Sequence, residues 1–393
     1  MSTHPNPLPA PIAWNDAARR SRFDHWLARI TPRHGLRGET LRPASTDASF
    51  RRYLRIDAAA GPLIVMDAPP PQEDVRPFVD VAQRIASAGL HAPQVLESDC
   101  ADGFLLLSDL GSALYLDLLQ DAVNSGNSAS VDRLMRDAVA TLVSWQQRVD
   151  GAGLPAYDEA LLKRELALFP EWCVVRELGA RWTADEQAQW HTAAAALVHS
   201  ALAQPTVTVH RDYMPRNLMR CSGSIGNSNS NSNSNSNSNS NSNSNSNSNS
   251  NSNGNGNGNG DRVGILDFQD AVRGPISYDI ASLLRDAFIS WDEDQEIDWA
   301  ARYWQQAKKV GLPVPADFGD FWRQLEWMGL QRHLKVLGIF CRLKHRDGKP
   351  KYSQDLPRFF AYAHKVASRY NALRPLSRLL EPLMGAERRD VYY

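Results

Sequence analysis

Near the start of the chain, Phe23, Trp26, Leu27 and Ile30 fall at i, i+3, i+4 and i+7. That apolar stripe predicts an amphipathic helix. Short strand-like runs follow at 51–56, 63–67 and 104–107. Between the last two, Phe78, Val81, Ala82 and Ile85 mark one face of a helix over 77–88. Asp74 is placed to cap it, Pro77 suits its first turn, and Gly89 can end it. Further on the pattern turns helical, most clearly over 131–149, 184–203, 278–291, 318–343 and 359–373. Two strand-like stretches, 206–209 and 263–266, interrupt it. Strands with one helix, then a mostly helical remainder, predict an α+β chain of two lobes. The expected division is residues 1–108, a small β-rich lobe, and residues 109–393, a larger helical one.

One segment breaks every period. Residues 227–260 are Asn-Ser and then Asn-Gly repeats without an apolar side chain. Such a tract cannot offset its ordering entropy by burial, so a flexible insert over about 222–260 is expected. Asn217 and Asp267 stand 50 positions apart, and 16 once the 34 repeat residues are set aside. That distance suits the two ends of a short β-hairpin whose turn the repeat extends, at a closure cost that grows slowly with length.

Composition narrows the function classes. The net charge is −1 and the pI about 6.8. No broad field points to nucleic acid or to an anionic membrane, and no obligatory protein partner is evident. Cys100, Cys173, Cys221 and Cys341 are far apart without a C-x-x-C pair, which disfavours zinc and a disulfide framework. Residues 1–13 are Pro-rich without an apolar signal core, and no apolar run is long enough to span a bilayer. A cytoplasmic protein is expected.

The chemistry concentrates in two motifs. His210-Arg211-Asp212-Tyr213-Met214-Pro215-Arg216-Asn217 fits H-x-D-x-x-x-x-N, the catalytic-loop spacing of protein-kinase-like phosphotransferases. Ile265-Leu266-Asp267-Phe268-Gln269-Asp270 is a short apolar run ending in acid. Asp212 is the catalytic candidate, because an attacking hydroxyl needs orientation and a destination for its proton. Asn217 and Asp267 are the metal candidates, since their hard oxygens suit Mg2+ beside the phosphates of ATP. His210 is read as a brace for the loop, and Asp279 as a helix cap that anchors the same loop.

The phosphate-covering loop is expected between two strands of the first lobe. Residues 44–53 offer small side chains and hydroxyls, with Ser45, Thr46 and Ser49 as cofactor-binding candidates. Arg51 and Arg52 point to opposite faces of a strand, so one of them reaches the phosphates; Arg52 is taken as the candidate. There is neither a G-x-G-x-x-G nor a Walker A motif, which disfavours P-loop chemistry. Residues 106–111 fit a hinge between the lobes, placing Ser108 and Asp109 beside the adenine.

With these residues in place, the chain resembles the aminoglycoside phosphotransferase-like kinases. The segments 209–219 and 267–271 carry the resemblance. Within that family, residues 45–53, 65–73, 168–172 and 331–338 look most like the bacterial anomeric kinases of N-acetylmuramate and N-acetylglucosamine. The resemblance implies a bilobal protein-kinase-like fold. It also implies ATP- and Mg2+-dependent phosphorylation of a sugar at its anomeric hydroxyl, in cell-wall sugar recycling toward a UDP-sugar. Many kinases of this fold carry a Lys on the third strand paired with a helix Glu. Here residues 63–67 contain no Lys, and the following helix offers Asp80 and Gln83. Sugar contacts are expected in the helical lobe: Glu171, Trp172 and Arg176, or Arg332, His333 and Lys335. Asp270 either joins the metal environment or touches the sugar. A kinase of another small hydroxyl compound, such as an aminoglycoside or amino alcohol, and a nucleotide-binding pseudokinase module are the competing readings.

Overall fold

Helix α1 (Ala17–His34) forms where the stripe predicts it. Asp16 caps its start by accepting from the Ala18 N–H, and Gly35, at φ 59°, ends it. In this computed structural model the described residues are 12–14, 16–45, 50–221 and 262–384, with the side chain of Ser45 excepted. The stripe on α1 buries Phe23, Trp26 and Ile30 against Leu54, Ile56, Val65, Phe104 and Leu106. Fully burying each such side chain stabilises the pair of layers by about 1.5–3 kcal/mol.

Those partners form one face of a five-stranded antiparallel sheet: β1 (Arg37–Ser45), β2 (Arg52–Ala58), β3 (Gly61–Asp67), β4 (Val95–Asp99) and β5 (Phe104–Ser108), in the order β1-β2-β3-β5-β4. Sequence reading locates β2, β3 and β5 and passes over β1 and β4. The two missed strands are the edges of the sheet, where one backbone side and much of the surface face water, so their sequences lack a clean apolar alternation. Helix α2 (Arg76–Ser87) buries the expected Phe78, Val81, Ala82 and Ile85. Asp74 accepts from the Arg76 N–H at 3.0 Å, one residue before the formal cap position.

The remainder is helical: α3 (Tyr115–Asn124), α4 (Ser128–Arg148), α5 (Glu159–Leu168) running into a wide turn (Phe169–Glu177), and α6 (Ala184–Leu202). Four short strands follow, β6 (Thr206–Val209), β7 (Leu218–Cys221), β8 (Arg262–Ile265) and β9 (Val272–Pro275). They pair as β6 with β9 and β7 with β8. Helices α7 (Tyr278–Leu284), α8 (Glu293–Lys309), α9 (Phe318–Asp347), α10 (Leu356–Arg369) and α11 (Arg374–Leu380) complete the chain. Gly338 lets α9 touch the end of α5, since a Cβ there would lie 2.4 Å from the Leu168 carbonyl carbon. The helix expected over 278–291 stops at Leu284 instead. Side chains take the backbone groups beyond it: the Asp286 carboxylate accepts the Ala287 N–H, and Arg358 donates to the Ala287 carbonyl.

The β7–β8 hairpin is bonded to the segments that precede β4 and follow β5. Ile265 N–H donates to the His91 carbonyl at 2.8 Å and Arg220 N–H to the Ala113 carbonyl at 2.9 Å. The repeat, expected as a flexible insert, lies outside the described residues. The strands on either side of it are paired in register from Leu218↔Ile265 to Cys221↔Arg262. Replacing residues 227–260 with a four-residue turn shortens the connection about fourfold, worth ~1 kcal/mol in closure entropy. The melting temperature is therefore expected to hold or rise slightly, and turnover to stay within about twofold. Loss of the cooperative melt in the shortened protein would contradict this view of the hairpin.

Candidate active site

The loop after β6 is built around a strained backbone. Arg211 has φ 77°, in the left-handed region that side chains other than glycine rarely adopt. The Asp279 carboxylate holds it there, accepting the His210 N–H at 2.7 Å and the Arg211 N–H at 3.0 Å. His210 is fully buried. Its Nε2 lies 2.9 Å from the Leu266 carbonyl, which only accepts, and its Nδ1 lies 3.2 Å from the Asp212 N–H, which only donates. Those partners fix one neutral tautomer, and burial pushes the imidazole down to about 4. His210 thus braces the loop, and Asp279 anchors it from the first turn of α7 without capping that helix.

Asp212 emerges from this loop half-buried. Burial alone would push its carboxyl up, but the positive charges of Lys335 and Arg332 lead the groups that hold it below the ordinary value. It stays ionised near neutral pH, as a proton acceptor must. The Arg211 guanidinium turns away to Glu165 at 2.8 Å, and Lys335 meets the same carboxylate at 3.0 Å.

The Asn217 side chain donates to the Asp212 carbonyl at 2.9 Å and approaches Asp267 Oδ2 at 3.4 Å. With its amide nitrogen so placed, Oδ1 is left for another partner. Asp267, at φ 59°, is the second strained residue. Its Oδ1 accepts from Gln269 Nε2 at 2.8 Å, and the same nitrogen lies 3.5 Å from Asp270 Oδ2. Phe268 packs on Phe78 of α2 with ring centroids 4.7 Å apart, which ties this turn to the first half of the chain. Among the described residues no group of three His, Cys, Asp or Glu side chains could hold a metal. The pair Asn217 and Asp267 offers two hard oxygens and leaves other positions to phosphate and water, as Mg2+ prefers.

A cavity of about 390 Å³ runs from this pair to the β5–α3 connection. Ile64, Leu107, Ser108, Asp109 and Leu110 line its far end, and Asn217 and Asp267 its near end. Asp109 is tied to Arg55 at 2.6 Å. Thr46 and Ser49 lie outside the described residues, as does the Ser45 side chain. The structure places Arg52 on the face of the sheet away from this cavity. Tyr53 and Arg55 line the cavity, whereas Leu54 and Ile56 face α1, and Arg52 shares their parity. Its guanidinium binds Asp67, which also holds Arg19, and lies 4.2 Å over the Trp14 ring. Arg51 carries the cleft-side parity, with Nε 3.5 Å from Glu73. The sequence did contain this signal, because the parity follows once Leu54 and Ile56 are assigned to the core.

Glu171 and Arg176 are exposed in the wide turn after α5. They lie 4.0 Å from one another, with Arg176 stacked 4.2 Å over Trp172, and among the described residues neither contacts Asp212. The structure instead brings Arg332 and Lys335 of α9 toward the catalytic loop.

This arrangement agrees with what the chain is similar to. The model of the phosphotransferase enzyme family matches residues 40–226 and 255–321, and the chain belongs to that family. An N-acetylmuramate/N-acetylglucosamine kinase of Pseudomonas aeruginosa is 45% identical over 382 residues, covering 95% of this chain and 99% of the relative. One of Pseudomonas putida is 45% identical over 349 residues, covering 89% and 90%. The ADP-bound aminoglycoside phosphotransferase APH(2'')-Ib superposes with a TM-score of 0.53 at 12% identity, covering 88% of this chain and 96% of that one. That last likeness establishes the protein-kinase-like fold.

The His210 brace has a pH signature. Its folded pKa of about 4 lies below the unfolded value of 6.5. Between those values only the unfolded chain takes up the proton, so the contribution is complete above pH 6.5 and is lost as pH falls toward 4. Chemical denaturation of wild type and His210→Gln across this range should show their stability difference shrinking by on the order of 3 kcal/mol at the acid end. A difference independent of pH would count against a buried neutral His210.

Proposed function

We propose that the protein transfers the γ-phosphoryl group of ATP to the anomeric hydroxyl of N-acetylmuramate and N-acetylglucosamine. The observation that carries this reading is the junction of Asp212 with the Asn217–Asp267 pair at one end of a nucleotide-sized cleft. Its substrate class is supported by the two 45% identical relatives. In this reading the 107–111 backbone meets the adenine. Asn217 and Asp267 hold Mg2+, which when bound neutralises phosphate charge and orients the transferring group. Arg51, braced by Glu73, faces the phosphates in place of the absent strand lysine.

Asp212 accepts the hydrogen bond of the sugar hydroxyl and orients its oxygen toward phosphorus. The new O–P bond forms as the bond to the β,γ-bridging oxygen breaks, ADP departs, and the proton passes to Asp212. Arg332 beside this position disfavours a cationic aminoglycoside, which would bring like charge to the same place. Among the described residues no helix is long and apolar enough to cross a membrane. The proposal sets the reaction in the cytoplasm, where ATP is available, as a step that returns cell-wall sugar toward a UDP-sugar.

Coupled ADP release should appear with N-acetylmuramate and N-acetylglucosamine, vanish with EDTA and return with excess Mg2+. Asp212→Asn should lower kcat by about 10³-fold or more with KM for ATP little changed. Turnover with kanamycin alone, or full activity in the variant, would overturn the assignment. The two arginines separate in a second experiment. Arg51→Ala should raise KM for ATP about tenfold. Arg52→Ala should lower the melting temperature and leave that KM within about twofold. The reverse pattern would restore Arg52 to the phosphate site.

A further inference from the structure

Two buried charged side chains, Arg332 and Asp286, each keep a sealed polar atom without a hydrogen-bond partner among the described residues. Arg332, at the middle of α9, is 4% exposed and, among the described residues, has no hydrogen bond or ion pair; its Nη1 is sealed from solvent without an acceptor. Asp286, in the segment after α7, is 0% exposed. Its Oδ1 accepts the Ala287 N–H at 2.6 Å, and its Oδ2 has no hydrogen-bond partner among the described residues. His333, next to Arg332, lies 3.2 Å from the carbonyl of Arg285, which immediately precedes Asp286. That contact joins α9 to the post-α7 segment, and among the described residues Asp286 and Arg332 form no ion pair across it.

Electrostatics couples them to the reaction centre: Asp286 and Asp212 both feel the charge of Arg332, and Asp286 also that of Arg216, the neighbour of Asn217. The Arg216 guanidinium lies 5.2 Å over the ring of Phe288, two residues beyond Asp286. A buried donor and a buried acceptor left open each cost about 1–3 kcal/mol, a cost relieved by any ligand that satisfies both.

The ligand chemistry follows from the pair. It must accept from Nη1 and donate to Oδ2, and it must be neutral, because a carboxylate would be repelled by Asp286. It must also lie next to the hydroxyl that Asp212 holds. A secondary amide meets all of these requirements: its carbonyl accepts, its N–H donates, and in a 2-acetamido sugar it is attached to the carbon adjoining the anomeric centre. We infer that Asp286 and Arg332 form the subsite for the 2-acetamido group, with the amide N–H donating to Asp286 Oδ2 and Arg332 Nη1 donating to the amide carbonyl. This rests on the amino-sugar reading above and deepens it. It assigns the selection of N-acetylated sugars to Asp286 and Arg332, and it serves both proposed substrates alike, since they share this group.

The test measures binding and turnover separately. N-acetylglucosamine is titrated calorimetrically into wild type, Asp286→Asn and Arg332→Lys, each with Mg2+ and a non-hydrolysable ATP analogue. Melting temperatures confirm folding, and the lysine variant, which keeps the charge but not the fork, carries the test if the asparagine variant does not fold. Each variant should weaken sugar binding by about 100-fold while leaving the nucleotide Kd within about threefold. In turnover, kcat/KM of Asp286→Asn should fall similarly for N-acetylglucosamine and N-acetylmuramate but change less than threefold for glucose, so that the preference for the acetamido group collapses; Arg332→Lys is read by sugar binding, because Arg332 also holds Asp212 ionised. Unchanged sugar affinity in the variants, equal losses on glucose, or a wild type that binds no N-acetylated sugar would overturn the subsite. A wild type whose binding of N-acetylglucosamine follows the predicted pattern, yet which phosphorylates no sugar, would retain the subsite and overturn the proposed reaction instead.

Discussion

Asp279 accepts the N–H groups of His210 and Arg211, and those two hydrogen bonds keep the catalytic loop in a shape its own backbone would not choose. Arg211 at φ 77° and Asp267 at φ 59° each cost of order 1–3 kcal/mol. Both adjoin or supply a side chain of the site. His210 links the two strained points, with one ring nitrogen at the Asp212 N–H and the other at the Leu266 carbonyl. The position of the Asp212 carboxylate relative to Asn217 and Asp267 therefore depends on buried groups that do no chemistry themselves.

The same economy of contacts joins the two ends of the cleft. The β7–β8 hairpin carries Asn217 just before one strand and Asp267 just after the other, and is tied by hydrogen bonds to His91 and Ala113. Phe268 adds a ring contact to α2. A shift of the sheet relative to the helices would thus move the residues proposed to hold Mg2+ together with the walls of the nucleotide cleft. Electrostatics completes the arrangement. Around Glu165, Lys335 and Arg211 are paired, whereas among the described residues Arg332 has no ion-pair partner and its charge acts on Asp212.

How much of this was legible in the sequence depended on the kind of signal. Asp212, Asn217 and Asp267 stand out in the sequence by their motif spacing, and the fold brings the three together. The hairpin joining them emerged once the repeat was set aside. Arg52 was chosen over Arg51 because alternation separates two neighbours but does not say which faces the cleft until a core partner is assigned. The edge strands β1 and β4 were missed for want of an apolar period. Asp286 was hidden by the opposite fault: residues 278–291 do alternate like a helix, but side-chain hydrogen bonds to the backbone end it at Leu284. Glu171 and Arg176 were chosen for their chemistry, and only three-dimensional packing shows them paired with each other on an exposed turn.

The central claim is that Asp212 directs phosphoryl transfer to the anomeric oxygen of an N-acetylated amino sugar. The most direct measurement is a phosphorus–proton correlation NMR spectrum of the product made from N-acetylglucosamine and ATP. The account predicts a phosphorus resonance coupled to the anomeric proton. A phosphorus coupled to the protons of C6 or another ring carbon, or a spectrum showing only ADP and inorganic phosphate, would contradict it.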